Sequence, residues 1–203
     1  MTLFKICQDY NEYIKNMTEK DFMIVDPPWN YNNKAKEFTT RTEFSKVTDN
    51  VEFLNYLFLN VKTKLLFLWI TSPLLGYLLL SQKYGVTFGD FEYKQILVWS
   101  KTKNDGFDYE GQGFWFKNSC EFIVLFAKHG VKPIRSRILN ICREKATKNA
   151  ETQKPKIFES FIFRELYNAG YSTGVYLFSG SFSDYDISIK QNVELVDIKH
   201  EKE

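Results

Sequence analysis

The sequence predicts a single α/β domain built on a parallel, doubly wound sheet with helices on both faces. Short apolar runs alternate with segments of helical spacing, and this alternation favours parallel strands joined by crossovers. The 203 residues are enough for one sizeable core. The hydrophobic and charged fractions, 44% and 26%, are typical of a globular protein. We place the domain over residues 1–192 and a charged C-terminal tail over residues 193–203.

Five apolar runs bounded by turn residues predict strands at residues 22–25, 65–70, 93–99, 120–127 and 175–178, with a possible sixth at 186–190. Three helices are predicted, over residues 50–60, 73–84 and 154–169. Thr48 or Asp49 is expected to cap the first helix, and Gly85 to end the second. Residues 30–47 and 101–118 are predicted loops, and loops of such length are usually functional or disordered.

Several function classes are disfavoured by composition. Three widely spaced cysteines and two histidines favour neither a disulfide framework nor a metal site. We expect no signal peptide and a cytoplasmic protein. The most apolar stretch, residues 65–80, is too short to span a membrane and is interrupted by Pro73 and Gly76.

Positive and negative residues nearly balance over the whole chain, but they are unevenly distributed along the sequence. The net charge is only +2. Residues 128–156, however, hold nine Lys or Arg against two acids, Glu144 and Glu151. This stretch is either a solvated surface or a face that contacts phosphates.

The motif Asp26-Pro27-Pro28-Trp29 follows the first predicted strand. Proline fixes its own φ and holds the preceding residue extended, so Asp26 is expected to be rigid at the strand end, where α/β sheets bind ligands. Neither proline has an N–H. The motif therefore concentrates acceptors, namely the Asp26 carboxylate and a proline carbonyl. The alternative is a rigid turn without chemistry.

An exocyclic amine, with two protons to donate, matches such an acceptor pair. Accepting both hydrogen bonds makes its nitrogen lone pair available, and the nitrogen can then attack a sulfonium methyl group directly. No metal or covalent enzyme intermediate is required, so catalysis consists of positioning and electrostatics. An exocyclic amine of this kind is carried by a nucleic-acid base, and Trp29 is expected to offer an indole face on which that base stacks.

The chain resembles the family of N6-adenine methyltransferases that includes the catalytic subunit of the eukaryotic messenger-RNA adenosine methyltransferase and its bacterial and phage relatives. The resemblance runs from about Ile6 to Asn192. Besides the motif, the matching stretches are residues 66–71, 96–101, 111–115, 128–130, 153–155 and 176–180, with Glu121 at the family's spacing. Departures are Phe38 in place of a tyrosine, and Gln153 in place of a histidine or serine before Lys154.

The resemblance implies a Rossmann-like methyltransferase fold with circularly permuted motif order and S-adenosylmethionine as cofactor. The catalytic residues would be Asp26, Pro27, Pro28 and Trp29. Lys154 would hold the cofactor carboxylate, and Asp26 would also lie near the cofactor's amino group. Asp9 would accept from the amino group of the cofactor adenine, unless it is a helix cap or turn residue. The full set of cofactor-binding residues would be Asp9, Tyr10, Asp26, Lys154, Phe178, Gly180, Ser181, Phe182, Ser183, Gln191 and Asn192.

The expected substrate is adenine in nucleic acid, with DNA ahead of RNA. Its predicted contacts are Trp29, Phe38, Trp99, Lys101, Arg135 and Arg137. We expect the two arginines on the cofactor side of the sheet, because they are close in sequence to Lys154. Two alternatives stay open: an N4-cytosine methyltransferase, and a non-catalytic nucleic-acid-binding subunit. A homodimer or heterodimer is compatible with the sequence, and no membrane or metal partner is expected.

Overall fold

An eight-stranded sheet forms the centre of the protein, seen here in a computed structural model that describes residues 3–7, 9–31, 49–111, 113, 115–146, 154–178 and 192–198. The strand order is β1-β8-β7-β2-β3-β5-β4-β6. The strands are β1 (Leu3–Cys7), β2 (Lys20–Val25), β3 (Thr63–Ile70), β4 (Phe91–Thr102), β5 (Cys120–Lys128), β6 (Ile141–Lys145), β7 (Thr173–Leu177) and β8 (Asn192–Ile198).

The sheet is mixed, so the prediction of a wholly parallel sheet is wrong. Strand β5 runs antiparallel to both β3 and β4, while the other adjacent pairs are parallel. The reason is the connection between β4 and β5, residues 103–119, which has no crossover helix among its described residues. Antiparallel neighbours need no such crossover, whereas parallel neighbours do.

Three strands were not predicted from the sequence: β1, β6 and β8. Strand β6 is polar, with Arg143 and Lys145 on its exposed side, and lies at the sheet edge. Strand β8 lies between β1 and β7 and contains residues for which the sequence predicts a charged tail. That boundary is wrong for residues 193–198. The strand predicted at residues 186–190 lies outside the described residues.

The five described helices are α1 (Tyr10–Asn16), α2 (Asn50–Asn60), α3 (Ser72–Leu79), α4 (Ser81–Tyr84) and α5 (Lys156–Asn168). Helix α2 has the predicted bounds, and the Asp49 side chain accepts from the N–H groups of Val51 and Glu52. The second predicted helix is divided at Leu80. It ends as expected at Gly85, whose φ of 71° is the left-handed conformation that glycine adopts easily.

Both faces of the sheet are covered, which confirms the predicted α/β layering. Successive strand residues point to opposite faces, so Phe22 and Ile24 pack in one core and Met23 and Val25 in the other. Helices α1, α2 and α3 cover the core of Met23. Helix α5 covers the core of Phe22. Each large apolar side chain buried in this way stabilises the fold by roughly 1.5–3 kcal/mol.

Candidate active site

The motif residues lie at the carboxyl ends of β2, β3, β4 and β7. We call this end of the sheet the site edge. Asp26 follows β2 directly, and its backbone N–H donates to the Leu177 carbonyl of β7 at 3.2 Å. This bond extends the ladder between β2 and β7 by one residue. Only 7% of Asp26 is exposed. Two parallel strands thus fix the carboxylate at the site edge, where the sequence predicted it at the end of a strand.

Trp29 anchors the motif instead of presenting a free ring face. Its indole N–H donates to the Trp69 carbonyl at 3.0 Å, and its ring packs edge-on against Phe53. Only 7% of Trp29 is exposed. The prediction that Trp29 offers a free face for stacking is therefore wrong in this structure. The ring points inward because it is buried there and because its N–H finds an acceptor there.

Two further contacts shape the motif. The Trp29 backbone N–H donates to the Pro27 carbonyl at 2.8 Å, and that oxygen keeps a second lone pair for another donor. The side chain of Asn50, at the start of α2, accepts from the Asn30 N–H and donates to the Asn30 carbonyl. The turn after Asp26 is therefore clamped by α2, a contact that the sequence did not indicate.

The Asp26 carboxylate is at one end of a chain of four charged side chains. Lys154 Nζ lies 3.0 Å from Asp26 Oδ1 and 2.7 Å from Glu121 Oε2. Lys101 Nζ contacts the other oxygen of Glu121. The exposed fraction of each of the four side chains is between 10% and 12%. Two ammonium groups balance two carboxylates, so the cluster is neutral.

The pKa values in this cluster show which interaction dominates. Burial alone would raise the pKa of Glu121, but the positive charges of Lys154 and Lys101 lower it to about 2. Burial would lower the pKa of Lys154, yet the negative charges of Asp26 and Glu121 raise it above its usual value. Both groups are therefore ionised at neutral pH. Enclosing four charges is costly, and such clusters are enriched at functional sites.

Trp69 supports this cluster from beneath. Lys154 Nζ lies 4.9 Å from the centre of the Trp69 ring, a cation–π distance. The Trp69 indole N–H donates to Glu159 Oε1 at 3.1 Å, and the Tyr176 hydroxyl donates to the same oxygen at 2.7 Å. Glu159, on α5, is fully buried. The indole is thus held in place by Glu159, and it supports the Lys154 ammonium through this cation–π contact.

The N-terminus of α5, which follows Lys154, is capped by a side chain of strand β6. The Glu144 carboxylate of β6 accepts from the N–H groups of Ile157 and Phe158 at 3.2 and 3.1 Å. The Glu144 carbonyl accepts from the Trp99 indole N–H. A carboxylate here also opposes the positive end of the helix dipole. This role was missed, because a cap supplied by a distant strand leaves no local sequence signal.

The predicted cofactor residues are partly assembled at the site edge. The Tyr10 ring lies 5.8 Å from Phe178 and 5.3 Å from Phe53, while Phe178 has a strained positive φ of 61°. Asp9 caps α1 by accepting from the Asn11 N–H at 2.8 Å, which is the alternative role weighed for it. Outside the described residues lie Gly180, Ser181, Phe182, Ser183 and Gln191.

Asn192 is not at the site edge, which corrects its assignment to the cofactor. It begins β8 opposite Thr173, the first residue of β7, and its N–H donates to the Ser172 carbonyl. Both contacts lie where the parallel strands start. Asn192 and Asp26 are therefore at opposite ends of the sheet.

The predicted substrate contacts have different positions. Lys101 is 9% exposed and engaged with Glu121, and Trp99 is 1% exposed, so neither presents a free surface. Phe38 lies outside the described residues. The exposed Arg135 and Arg137 are not on the site edge, because the Arg137 N–H bonds Glu165 near the C-terminus of α5. Their proximity to Lys154 in sequence is lost, since the chain forms β6 in between.

S-adenosylmethionine carries a carboxylate and an amino group, and the site has complementary charges. An ammonium group has three N–H donors, and the two carboxylate contacts of Lys154 leave one for a further acceptor. Asp26 is an acceptor that suits this amino group, and Asp9 is an acceptor that suits the amino group of the cofactor's adenine. These residues fit the cofactor, with Lys154 shared between it and the protein's own carboxylates.

Two features are absent from the described part of the chain. It holds no cluster of three or more His, Cys, Asp or Glu side chains that could bind a metal ion. Within the same residues, no helix has both the length and the apolar character needed to cross a membrane.

Comparison with known proteins agrees with this geometry. The MT-A70 family model matches residues 20–171. The crystal structure of the M1.HpyAVI–SAM complex has a TM-score of 0.59 and 16% sequence identity, and the match covers 100% of this chain and 95% of that one. A crystal structure of M1.HpyAVI has a TM-score of 0.57 and 15% identity, with coverage of 100% and 93%.

The comparison with curated proteins found no match. At such identities the two crystal structures support the methyltransferase fold, while the family match rests on the sequence itself. The match includes the motif at Asp26, the segment of Glu121 and the position of Lys154. It confirms the family that the sequence resembles. The chain therefore belongs to the MT-A70 family of S-adenosylmethionine-dependent adenine methyltransferases.

Proposed function

We propose that this protein methylates the N6 amino group of adenine in nucleic acid by direct methyl transfer, with DNA as the first substrate to test. The observation that carries the proposal is the carboxylate of Asp26, held at the end of β2 and paired at 3.0 Å with Lys154. When bound, S-adenosylmethionine supplies an electrophilic methyl group. The residues of this chain position the amine that receives it.

Asp26 and the Pro27 carbonyl would accept the two N–H bonds of the adenine amine. A carboxylate accepts at several lone pairs, so the contact with Lys154 leaves room for the amine. Lys154 favours the ionised form of Asp26, which accepts but cannot donate. The amine nitrogen would take the methyl group, the cofactor would leave as the neutral thioether, and the proton that the amine loses would pass to solvent.

In duplex DNA the target base is stacked and must leave the helix to reach Asp26. Trp29 is buried, so it supports the Asp26 turn in this proposal and does not stack on the base. Arg135 and Arg137 stay predicted as phosphate contacts, at a distance from the reacting atoms. A single-stranded substrate avoids the energy required for unpairing.

The test is nucleoside mass spectrometry after incubation of DNA and RNA with the protein and isotope-labelled S-adenosylmethionine. The expected product is labelled N6-methyladenine, absent with Asp26→Ala. Labelled N4-methylcytosine would instead establish the cytosine alternative. Cofactor binding in calorimetry without transfer to either nucleic acid would support a non-catalytic subunit and contradict the proposal.

A further inference from the structure

The connection between β4 and β5, described at residues 103–111, 113 and 115–119, forms a hairpin that carries two highly exposed aromatic rings. Trp115 is 94% exposed and Phe116 is 87% exposed. The other three tryptophans are Trp29, Trp69 and Trp99, with exposed fractions of 7%, 0% and 1%. An isolated exposed ring is common, but two adjacent ones at a hairpin tip mark an interaction site.

The hairpin starts beside the charged cluster of the site. The Lys101 N–H donates to the Ser119 carbonyl at 2.8 Å, and Lys101 Nζ contacts Glu121. Trp115 is six residues before Glu121 in sequence, so it lies at most about 22 Å away. A nucleic-acid strand whose adenine is at Asp26 therefore has neighbouring nucleotides within reach of the tip.

The hairpin is braced, so the rings are presented on a fixed support. The Arg143 guanidinium of β6 donates to the Gly106 carbonyl and to Asp108 Oδ1 at 2.9 Å. Gly111 and Asn118 pair through two backbone hydrogen bonds. A side chain at Gly113 would place its Cβ 1.9 Å from the Phe116 carbonyl oxygen, so only glycine permits this turn.

We propose that Trp115 and Phe116 form a stacking platform for unpaired bases that flank the target adenine, an inference that rests on the proposed nucleic-acid substrate. Every base has an aromatic face, so a stack needs only one ring and is tolerant of sequence. The adjacent Lys117 is exposed and suits a phosphate. A stable protein interface buries about 800 Å² per partner, whereas two such rings offer roughly 300–500 Å². The exposed rings are therefore too small for a stable protein interface and large enough for stacked bases.

The test uses the intrinsic fluorescence of the full chain, since Trp115 is its one solvent-exposed tryptophan. Adding a single-stranded oligodeoxynucleotide that contains adenine should quench the Trp115 emission. The signal from the three buried tryptophans, measured in Trp115→Phe, is subtracted. Affinity is measured in parallel by the anisotropy of a labelled oligonucleotide.

Trp115→Ala and Phe116→Ala should each weaken binding about 5- to 150-fold, which corresponds to the loss of one stacked base. Trp115→Phe keeps a ring and should lose less. The matched control is Leu139→Ala, because Leu139 is 74% exposed but lies outside the hairpin, and this change should leave the affinity unaltered. S-adenosylmethionine affinity should be the same in all variants.

Oligonucleotide binding without quenching, or equal affinity in Trp115→Ala, would overturn the platform while leaving the proposed function intact. A concentration-dependent dimer that Trp115→Ala abolishes would assign the tip to protein contact and also overturn it. Absence of both oligonucleotide binding and methyl transfer would contradict the proposed function, and this inference with it.

Discussion

Asp26 is the acceptor on which the proposed chemistry depends, and its charge is balanced locally by Lys154. Asp26→Asn keeps the shape but loses the negative charge, so methyl transfer should be lost. The fold should persist, because Lys154 retains Glu121 as a partner at 2.7 Å. Turnover is measured with labelled S-adenosylmethionine, and folding by thermal melting. Near-wild-type turnover would rule out the acceptor role.

Lys154 has two predicted roles, toward the cofactor and toward the carboxylates of the protein. Lys154→Gln should weaken S-adenosylmethionine binding about 10- to 150-fold, the loss of a charge-assisted hydrogen bond. The acid limb of the pH–rate profile should also move to higher pH, since ionised Asp26 loses its neighbouring cation. Calorimetry and the rate profile are the measurements.

The control for Lys154→Gln is Lys103→Gln, which removes an exposed lysine paired with Glu110 on the hairpin. It should change neither quantity. An unchanged dissociation constant in Lys154→Gln would remove Lys154 from the cofactor site. A changed dissociation constant for S-adenosylmethionine with an unchanged pH–rate profile would mean that Lys154 acts on the cofactor but not on Asp26.

Helix α5 depends on strand β6 for its N-terminal cap. Glu144→Ala removes the acceptor for two backbone N–H groups, and losing such a cap costs about 1 kcal/mol. The free energy of unfolding should fall by that amount in urea titrations. Glu110→Ala removes a carboxylate of an exposed ion pair and should cost less. Equal stability of the two variants would show that the Glu144 cap contributes nothing.

The segment between β5 and α5 carries the arginines predicted to contact phosphates. Replacing Arg135 and Arg137 with alanine should flatten the salt dependence of nucleic-acid binding by roughly one to two units of logarithmic slope. Cofactor affinity should be unchanged, because the two residues are remote from the site edge. Binding isotherms at several salt concentrations measure the slope, and an unaltered slope would identify this segment as ordinary surface.

The stability of the whole molecule should depend on pH through its carboxylates of lowered pKa. Burial would raise the pKa of Asp21, but hydrogen bonds from Lys64, Thr173 and Ser172 lower it to about 2, the same value as for Glu121. A lowered pKa stabilises the fold above the unfolded-state pKa of about 4, and this contribution is lost as the pH falls to 2.

The free energy of unfolding, measured in urea between pH 6 and roughly 2, should therefore decrease most steeply below about pH 4.5. Glu121→Gln should lower stability at neutral pH and reduce this steepness, because it removes one of the titrating groups. The control is Glu19→Gln, which changes an exposed carboxylate. Equal slopes in the wild type and Glu121→Gln would contradict the prediction.

Features that depend on neighbouring residues could be predicted from the sequence. The apolar runs at residues 22–25 and 65–70 predicted β2 and β3, and Asp49 with periodic apolar residues predicted α2. The motif at Asp26 and its place after a strand were also readable, because prolines act on adjacent residues. These signals are local, so they do not depend on the packing of the chain.

Contacts between groups that are distant in sequence depend on how the elements pack. The pairing of Asp26 with Lys154 joins the end of β2 to the start of α5, and Glu144 caps that helix from an edge strand. The burial of Trp29, the direction of β5 and the place of β8 inside the sheet follow from the same packing. Contacts between residues remote in sequence form only when elements pack, and no local periodicity or motif encodes them.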